Sequence, residues 1–317
     1  MMRNTRSAAI VALAVGMCLA STGCGRFALS ALKAKKAWKE ANDAYRGQDW
    51  KKAAASYEYA LSNDPSITAA YFYLGNSYDN LYKPTRAGEA ENDGYMKKAI
   101  DNYKKAAELD SSQQMKTLAM SYLVAAYGPE KLNDPSQAEP IVQKMIELEP
   151  KETTHYFQLM KIYEDAGRYD EAEQALLKAK EAKPTDPQVY TAMSGFYNRQ
   201  GDFPKTMEAL QKAAEVDPKN PQNFQLIAVF YWEKASKDHR LTPAQKKDFI
   251  MKGIEATDKA LALNPDYSDA LTYKNILLRM EGNEETDMTK RKQLYDEADR
   301  LRNRAIELNK KKAAGVS

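Results

Sequence analysis

Two histidines and two cysteines are all that the 317 residues contain. A structural zinc site needs a close set of Cys and His ligands, and a disulfide framework needs regularly spaced cysteine pairs, so both are excluded. Charge of one sign is missing as well: 47 Lys and Arg face 44 Asp and Glu, a formal charge of +3. A nucleic-acid binder normally carries a basic surplus, so the reading includes no nucleic-acid partner. Ile and Val are sparse, while Ala, Lys, Glu, Leu and Tyr dominate, which favours helix over sheet. At 43% hydrophobic and 29% charged the chain has a folding composition.

Catalytic signatures are also lacking. The sequence has no Walker-type glycine loop, no G-x-S-x-G and no H-E-x-x-H. His155 and His239 are far apart, have no accompanying constellation, and read as surface residues rather than catalysts. Carboxylates alternate with lysines, as in Lys178-Ala179-Lys180-Glu181. That is a solvated helix face with i,i+4 support, not an acid–base dyad. The reading is a non-enzyme with no catalytic residue, no cofactor and no metal.

The one long apolar run, Ala8 to Ala20, is 13 residues. A membrane-spanning helix needs roughly 20. With Arg3 and Arg6 in front, the run suits the h-region of a secretory signal. Ser21-Thr22-Gly23 then leads into Cys24, which resembles a bacterial lipoprotein signal, although Ser21 stands where leucine is usual. The resemblance implies a signal peptide at 1–23, a diacylglyceryl-modified Cys24, and an anchor segment at 24–33. Cys18 would leave with the leader, and a thioether at Cys24 would leave no free thiol, which suits an oxidising compartment. The mature chain then carries 45 cations against 44 anions. Plain signal-peptidase cleavage, an uncleaved anchor, and an alanine-rich leader with accidental cysteines are the alternatives.

What the sequence has in abundance is a beat. Pro150, Pro184 and Pro218 are 34 residues apart. Between the first two lie Tyr156, Leu159, Tyr163, Gly167, Tyr169, Ala172, Leu176 and Ala179. The same interval further on holds Tyr190, Met193, Tyr197, Gly201, Phe203, Thr206, Leu210 and Ala213. Tyr156, Leu159 and Tyr163 share one face of a first helix, and Ala172, Leu176 and Ala179 share one face of a second. Gly167 falls in the turn between them, and each proline ends a second helix. One such hairpin cannot cover its own apolar face, but stacked neighbours can.

These residues and intervals resemble the tetratricopeptide repeat. The resemblance runs over 34–309, with units beginning near Ala34, Tyr71, Leu123, Tyr156, Tyr190, Phe224 and Tyr267. Insertions at 83–94, 235–247 and 283–290 are expected between the two helices of a hairpin, along one rim. The seventh unit keeps Ala298, Ala305 and Ile306 but lacks a good first helix. The fold implied is all-α: a right-handed superhelical solenoid of about seven antiparallel helix hairpins, with a disordered tail at 310–317.

In this family the partner-binding positions lie on the concave side of the first helices. Carried onto this chain they are Trp38, Asn42, Tyr45, Phe72, Asn76, Asp79, Phe157, Lys161, Glu164, Asn198, Arg199, Gln225 and Trp232. Asn42 and Asn76 recur at one register position, suited to an extended peptide backbone. Trp38 and Tyr73 replace the Lys and Asn of carboxylate-clamp repeats, which argues against capture of a free C-terminus. The competing reading is that these aromatics pack on neighbouring helices. A basic cluster, Lys33, Lys35, Lys36 and Lys39, reads either as a headgroup contact beside the anchor or as the polar side of a capping helix. The function expected is a membrane-anchored scaffold for protein–protein interaction in the bacterial cell envelope. Its partners would be a protein or peptide segment in the groove and the membrane through lipidated Cys24. Lipoproteins with this architecture assist outer-membrane protein assembly and type IV pilus assembly. Gly25 after the cysteine points to the periplasmic face of the outer membrane under the enteric sorting rule. The alternative is a soluble periplasmic peptide-binding module.

Overall fold

The computed structural model describes residues 29–315, so the leader and Cys24 lie outside the described residues. The described residues form helices joined by turns. The helices pair in sequence, beginning with α1 (29–46) and α2 (Trp50–Asn63). Next come α3 (Thr68–Leu81) with α4 (Ala90–Leu109), and α5 (Gln113–Tyr127) with α6 (Pro135–Leu148). These three hairpins belong to one compact unit, which ends at Pro150. The second unit begins at Lys151 and holds four. They are α7 (Thr153–Asp165) with α8 (Tyr169–Ala182) and α9 (Pro187–Arg199) with α10 (Phe203–Val216). Then follow α11 (Pro221–Lys237) with α12 (Pro243–Leu263) and α13 (Ser268–Glu284) with α14 (Met288–Ala313). Within each unit, the second helix of one hairpin packs on the first helix of the next.

Local chemistry sets the boundaries. Helices α2, α6, α8, α10 and α12 each stop two residues before a proline, at Asn63, Leu148, Ala182, Val216 and Leu263. Proline cannot donate to the helix ladder and pushes its predecessor into extended backbone. Starts are marked by side-chain caps at Asp49, Ser112, Asp186, Asp202 and Asn220, and by the Thr242–Gln245 capping box. In the hairpin turns Gly167 and Gly201 sit at φ +72° and +75°, where a Cβ would be strained.

The core follows the beat. The close-approach position of the second helix is Ala53, Ala99, Ala138, Ala172, Thr206, Gly253 and Ala298 in turn, and all seven are buried. Large side chains fill the space alongside them: Tyr57, Tyr103, Met145, Leu176 and Leu210 are at most 1% exposed. Each such burial contributes about 1.5–3 kcal/mol.

Four expectations are corrected or refined. The seventh unit has a full first helix, α13, because Ala270, Leu271, Leu277 and Leu278 supply the buried stripe that its register lacked. The chain does not leave its last helix at 309: α14 continues to Ala313, its last turn carrying Lys310, Lys311 and Lys312 against the negative helix end. His155 is 5% exposed rather than on the surface. It shares the first turn of α7 with Thr153, which donates to Asp186 before α9 at 3.3 Å, so the next hairpin covers that turn. The insertions do lie within hairpins, mostly as helix extension; only 82–89 forms a sizeable loop, tied by Asn92 to both backbone polar groups of Lys83 at 2.8 and 3.0 Å. In the second unit Lys246 pairs with Glu284 at 2.8 Å, which puts the α11–α12 and α13–α14 turns on one edge.

Candidate protein-binding face

In the first unit, α1 and α3 bring together an aromatic strip. Trp38 lies 5.4 Å from Tyr57 and 6.0 Å from Tyr73, ring centre to ring centre. Tyr45 lies 5.3 Å from Tyr73 and 5.2 Å from Trp50. Tyr57 is fully buried and forms the floor, with Trp38, Tyr45 and Tyr73 half-buried around it; Tyr122, also half-buried, packs on Phe72 and Tyr103 further along. Burial raises the hydroxyl pKa values of Tyr45 and Tyr57, so both remain neutral donors.

Beneath the strip runs a polar chain. Tyr45 donates to Asn76 Oδ1 at 2.7 Å, and Asn76 Nδ2 donates to Tyr103 Oη at 3.3 Å. Tyr103 donates to Asp79 Oδ2 at 3.1 Å, and Lys131 Nζ reaches Asp79 Oδ1 at 2.5 Å. The chain links α1, α3, α4 and the α5–α6 turn. In a low-dielectric interior each such group must be satisfied, and these are.

This geometry separates the positions read from the family register. Trp38, Asn42 and Tyr45 present surface. Tyr57 donates to Asn42 Oδ1 at 2.7 Å, which leaves the half-buried Asn42 Nδ2 without a hydrogen bond among the described residues. Phe72, Asn76 and Asp79 do not present surface: they are 4%, 7% and 9% exposed. Phe72 packs edge-on to Tyr122 at 5.1 Å, and Asn76 engages both ends of its amide inside the polar chain.

In the second unit the same register is more charged. Arg199 makes a two-pronged pair with Glu164 at 2.7 and 2.9 Å, joining α9 to α7. Lys161 pairs with Asp165 one turn on, and Phe157 is half-buried. Gln225 is 8% exposed, and Trp232 lies 5.5 Å from Tyr273 of the next first helix. Asn198 faces a cleft of about 500 Å³ on the edge where α9 meets the α11–α12 turn, walled by Phe203, Phe230 and Lys237.

Tyr73, Tyr122 and Lys131 escaped the sequence reading. Tyr73 was visible only as a departure from the clamp pattern. Tyr122 and Lys131 belong to the third unit, whose register is too degenerate to assign first-helix positions.

Models of the tetratricopeptide repeat family match residues 39–103 and 131–194. No curated protein matches the chain. Among solved structures, the C-terminal part of a TPR repeat-containing protein from Cytophaga hutchinsonii is similar with a TM-score of 0.56 at 16% identity, over 86% of this chain and 98% of that one. A tetratricopeptide repeat protein from Parabacteroides merdae gives 0.46 at 11% identity, over 84% and 99%. YrrB, a TPR protein with an unusual peptide-binding site, gives 0.38 at 24% identity, over 56% and 83%. At these identities the first likeness speaks to fold alone.

Proposed function

The chain is a tetratricopeptide repeat protein and a scaffold for protein–protein interaction, and from that premise we propose that it is exported, held to a membrane of the bacterial envelope through lipidated Cys24, and docks a partner segment on the first unit. The observation that carries the docking reading is the half-buried aromatic strip of Trp38, Tyr45, Tyr73 and Tyr122. Large aromatics left partly wet and clustered at 5–6 Å are enriched where partners bind. Asn42 Nδ2 beside them offers a donor to a partner carbonyl. The partner is therefore a protein segment carrying apolar side chains with its backbone accessible. Phe72, Asn76 and Asp79 support this surface from below. In the second unit the Glu164–Arg199 pair, Phe157 and Trp232 stand at the matching register positions.

Two experiments test this. Trp38→Ala with Tyr45→Ala, in a variant of unchanged helix content, is expected to abolish co-purification of the partner. Retention of the full complement of partners would place binding elsewhere. Incorporation of labelled palmitate into the wild type and its loss in Cys24→Ser tests the anchor. A wild-type protein that takes up no label and fractionates with the soluble envelope contents would make it a soluble periplasmic module.

A further inference from the structure

The N-terminal helix has three sides of different chemistry. Ala34, Ala37, Ala41 and Ala44 pack inward, each no more than 8% exposed. Trp38, Asn42 and Tyr45 form the flank that faces the aromatic strip. On the side opposite the alanines, Leu29 and Leu32 stand 53% and 65% exposed among Lys33, Lys35, Lys36 and Lys39.

That side differs from a solvated face such as that of α12, where Lys252 pairs with Asp248 and Lys259 with Glu255 one turn away. Ahead of Glu40 the sequence contains no acidic residue, while Arg26 and the four lysines follow Cys24. Of these four lysines only Lys36 has an ion pair among the described residues, a loose 3.9 Å contact with Glu40. A capping helix facing water needs no exposed leucines, and two exposed leucines interspersed with four lysines over three turns form an amphipathic surface of another kind. Its orientation is fixed, because Ser30 Oγ donates to the carbonyl of Asn63 and ties the first turn of α1 to the end of α2.

We propose that this side of α1 lies on an anionic lipid bilayer, with Leu29 and Leu32 in the interfacial layer and Lys33, Lys35, Lys36 and Lys39 on headgroup phosphates. The inference deepens the membrane-anchored reading and rests on it, since Cys24 lies five residues before Leu29. The diacylglyceryl group on Cys24 would supply the tether, and lysines held beside it at the surface of an anionic leaflet would each add headgroup attraction. Trp38 and Tyr45 lie on a different side of the same helix from Leu29, Leu32 and Lys36, while Lys35 borders the flank that carries Asn42.

The test is amide hydrogen exchange on the processed full-length protein bound to two kinds of vesicle: phosphatidylcholine alone, and phosphatidylcholine with phosphatidylglycerol. Exchange over residues 29–39 is expected to slow about tenfold on the anionic vesicles only, since the attraction requires surface charge. Changing Lys33, Lys35, Lys36 and Lys39 together to Gln is expected to remove that slowing, while exchange in α3 is unchanged and reports an intact fold. Equal exchange on both lipids overturns the proposal. Flotation separates the two ideas. A wild type that fails to float with phosphatidylcholine alone refutes the Cys24 anchor, and the anionic vesicles then decide the headgroup contact without a tether.

Discussion

Tyr197 donates its hydroxyl proton to Glu173 at 2.8 Å across the joint between the hairpins α7–α8 and α9–α10. Lys205 closes the group, with its ammonium 2.9 Å from Glu173 and 5.0 Å from the centre of the Tyr197 ring. The first unit contains the same device. Tyr78 donates to Glu58, and Lys98 lies 3.3 Å from Glu58 and 4.6 Å from the Tyr78 ring. Tyrosine and lysine hold matching register positions in both, whereas the glutamates differ by one helical turn. Each clamp joins the second helix of one hairpin to both helices of the next, so it reports on stacking and not on a single helix.

Tyr197→Phe removes the hydroxyl but keeps the ring. The expected cost is about 1 kcal/mol, the net worth of one such bond with somewhat more for the charged acceptor. Repeat stacks need not unfold in one step, so the measurement is native-state hydrogen exchange. Faster exchange in both α8 and α9 supports a stacking role; an effect confined to α9 contradicts it.

Acid should weaken this joint. Bonds from Lys205 and then Tyr197 hold the Glu173 carboxyl below its ordinary value of 4.5. Its folded value is depressed, so the unfolded chain takes up the proton first. The stability is present above about pH 4.5 and is lost as pH falls through the lower folded value. Urea midpoints of wild type and Glu173→Gln should therefore differ at pH 6 and converge toward pH 3, by about 0.5–1 kcal/mol for a pair that is partly exposed. A difference constant with pH would place the effect outside the carboxylate.

Asp79 and Lys131 make an uneven pair, with side chains 7% and 26% exposed. Lys131→Met strands a buried carboxylate and is expected to cost about 3 kcal/mol. Asp79→Asn with Lys131→Met removes both charges and should recover more than half of that. Trp38 and Trp50 fluorescence in a Trp232→Phe background reads the first unit directly. No recovery in the double variant would mean that the two side chains act independently.

Two glycines inside helices should respond in opposite directions. A Cβ at Gly75 would stand 2.8 Å from Tyr103 Cδ1 and 3.1 Å from the Ala99 carbonyl oxygen. Gly75→Ala is expected to cost about 1–3 kcal/mol by overpacking. At Gly94, in α4, a Cβ meets nothing within 4 Å. There alanine is expected to add about 0.4–1 kcal/mol through its helix preference and the lost freedom of the unfolded chain. Thermal or urea unfolding of the two variants side by side checks both signs.

The hairpins were legible before any coordinates because their determinants are local and recur. Prolines two residues beyond a helix, glycine in the turn and alanine at the close-approach position each act within one unit. Repetition at 34 residues separates that signal from chance, and only where the register had degenerated did the reading falter, missing α13 and stopping α14 four residues early. The binding face was legible as a set of positions, but which of them stay open depends on what distant chain segments bring to them. Phe72 and Asn76 share a helix face read as groove-lining. Tyr103, 27 residues beyond Asn76, takes the amide, and Tyr122 covers the phenyl ring. Lys131, 52 residues beyond Asp79, neutralises the carboxylate. Trp38 and Tyr45 stay half-buried, although Tyr57 and Tyr73 pack against both and Trp50 against Tyr45. Periodicity specifies which residues line up, whereas exposure is decided by the volume and charge of neighbours from other hairpins, and only the packed structure brings those together.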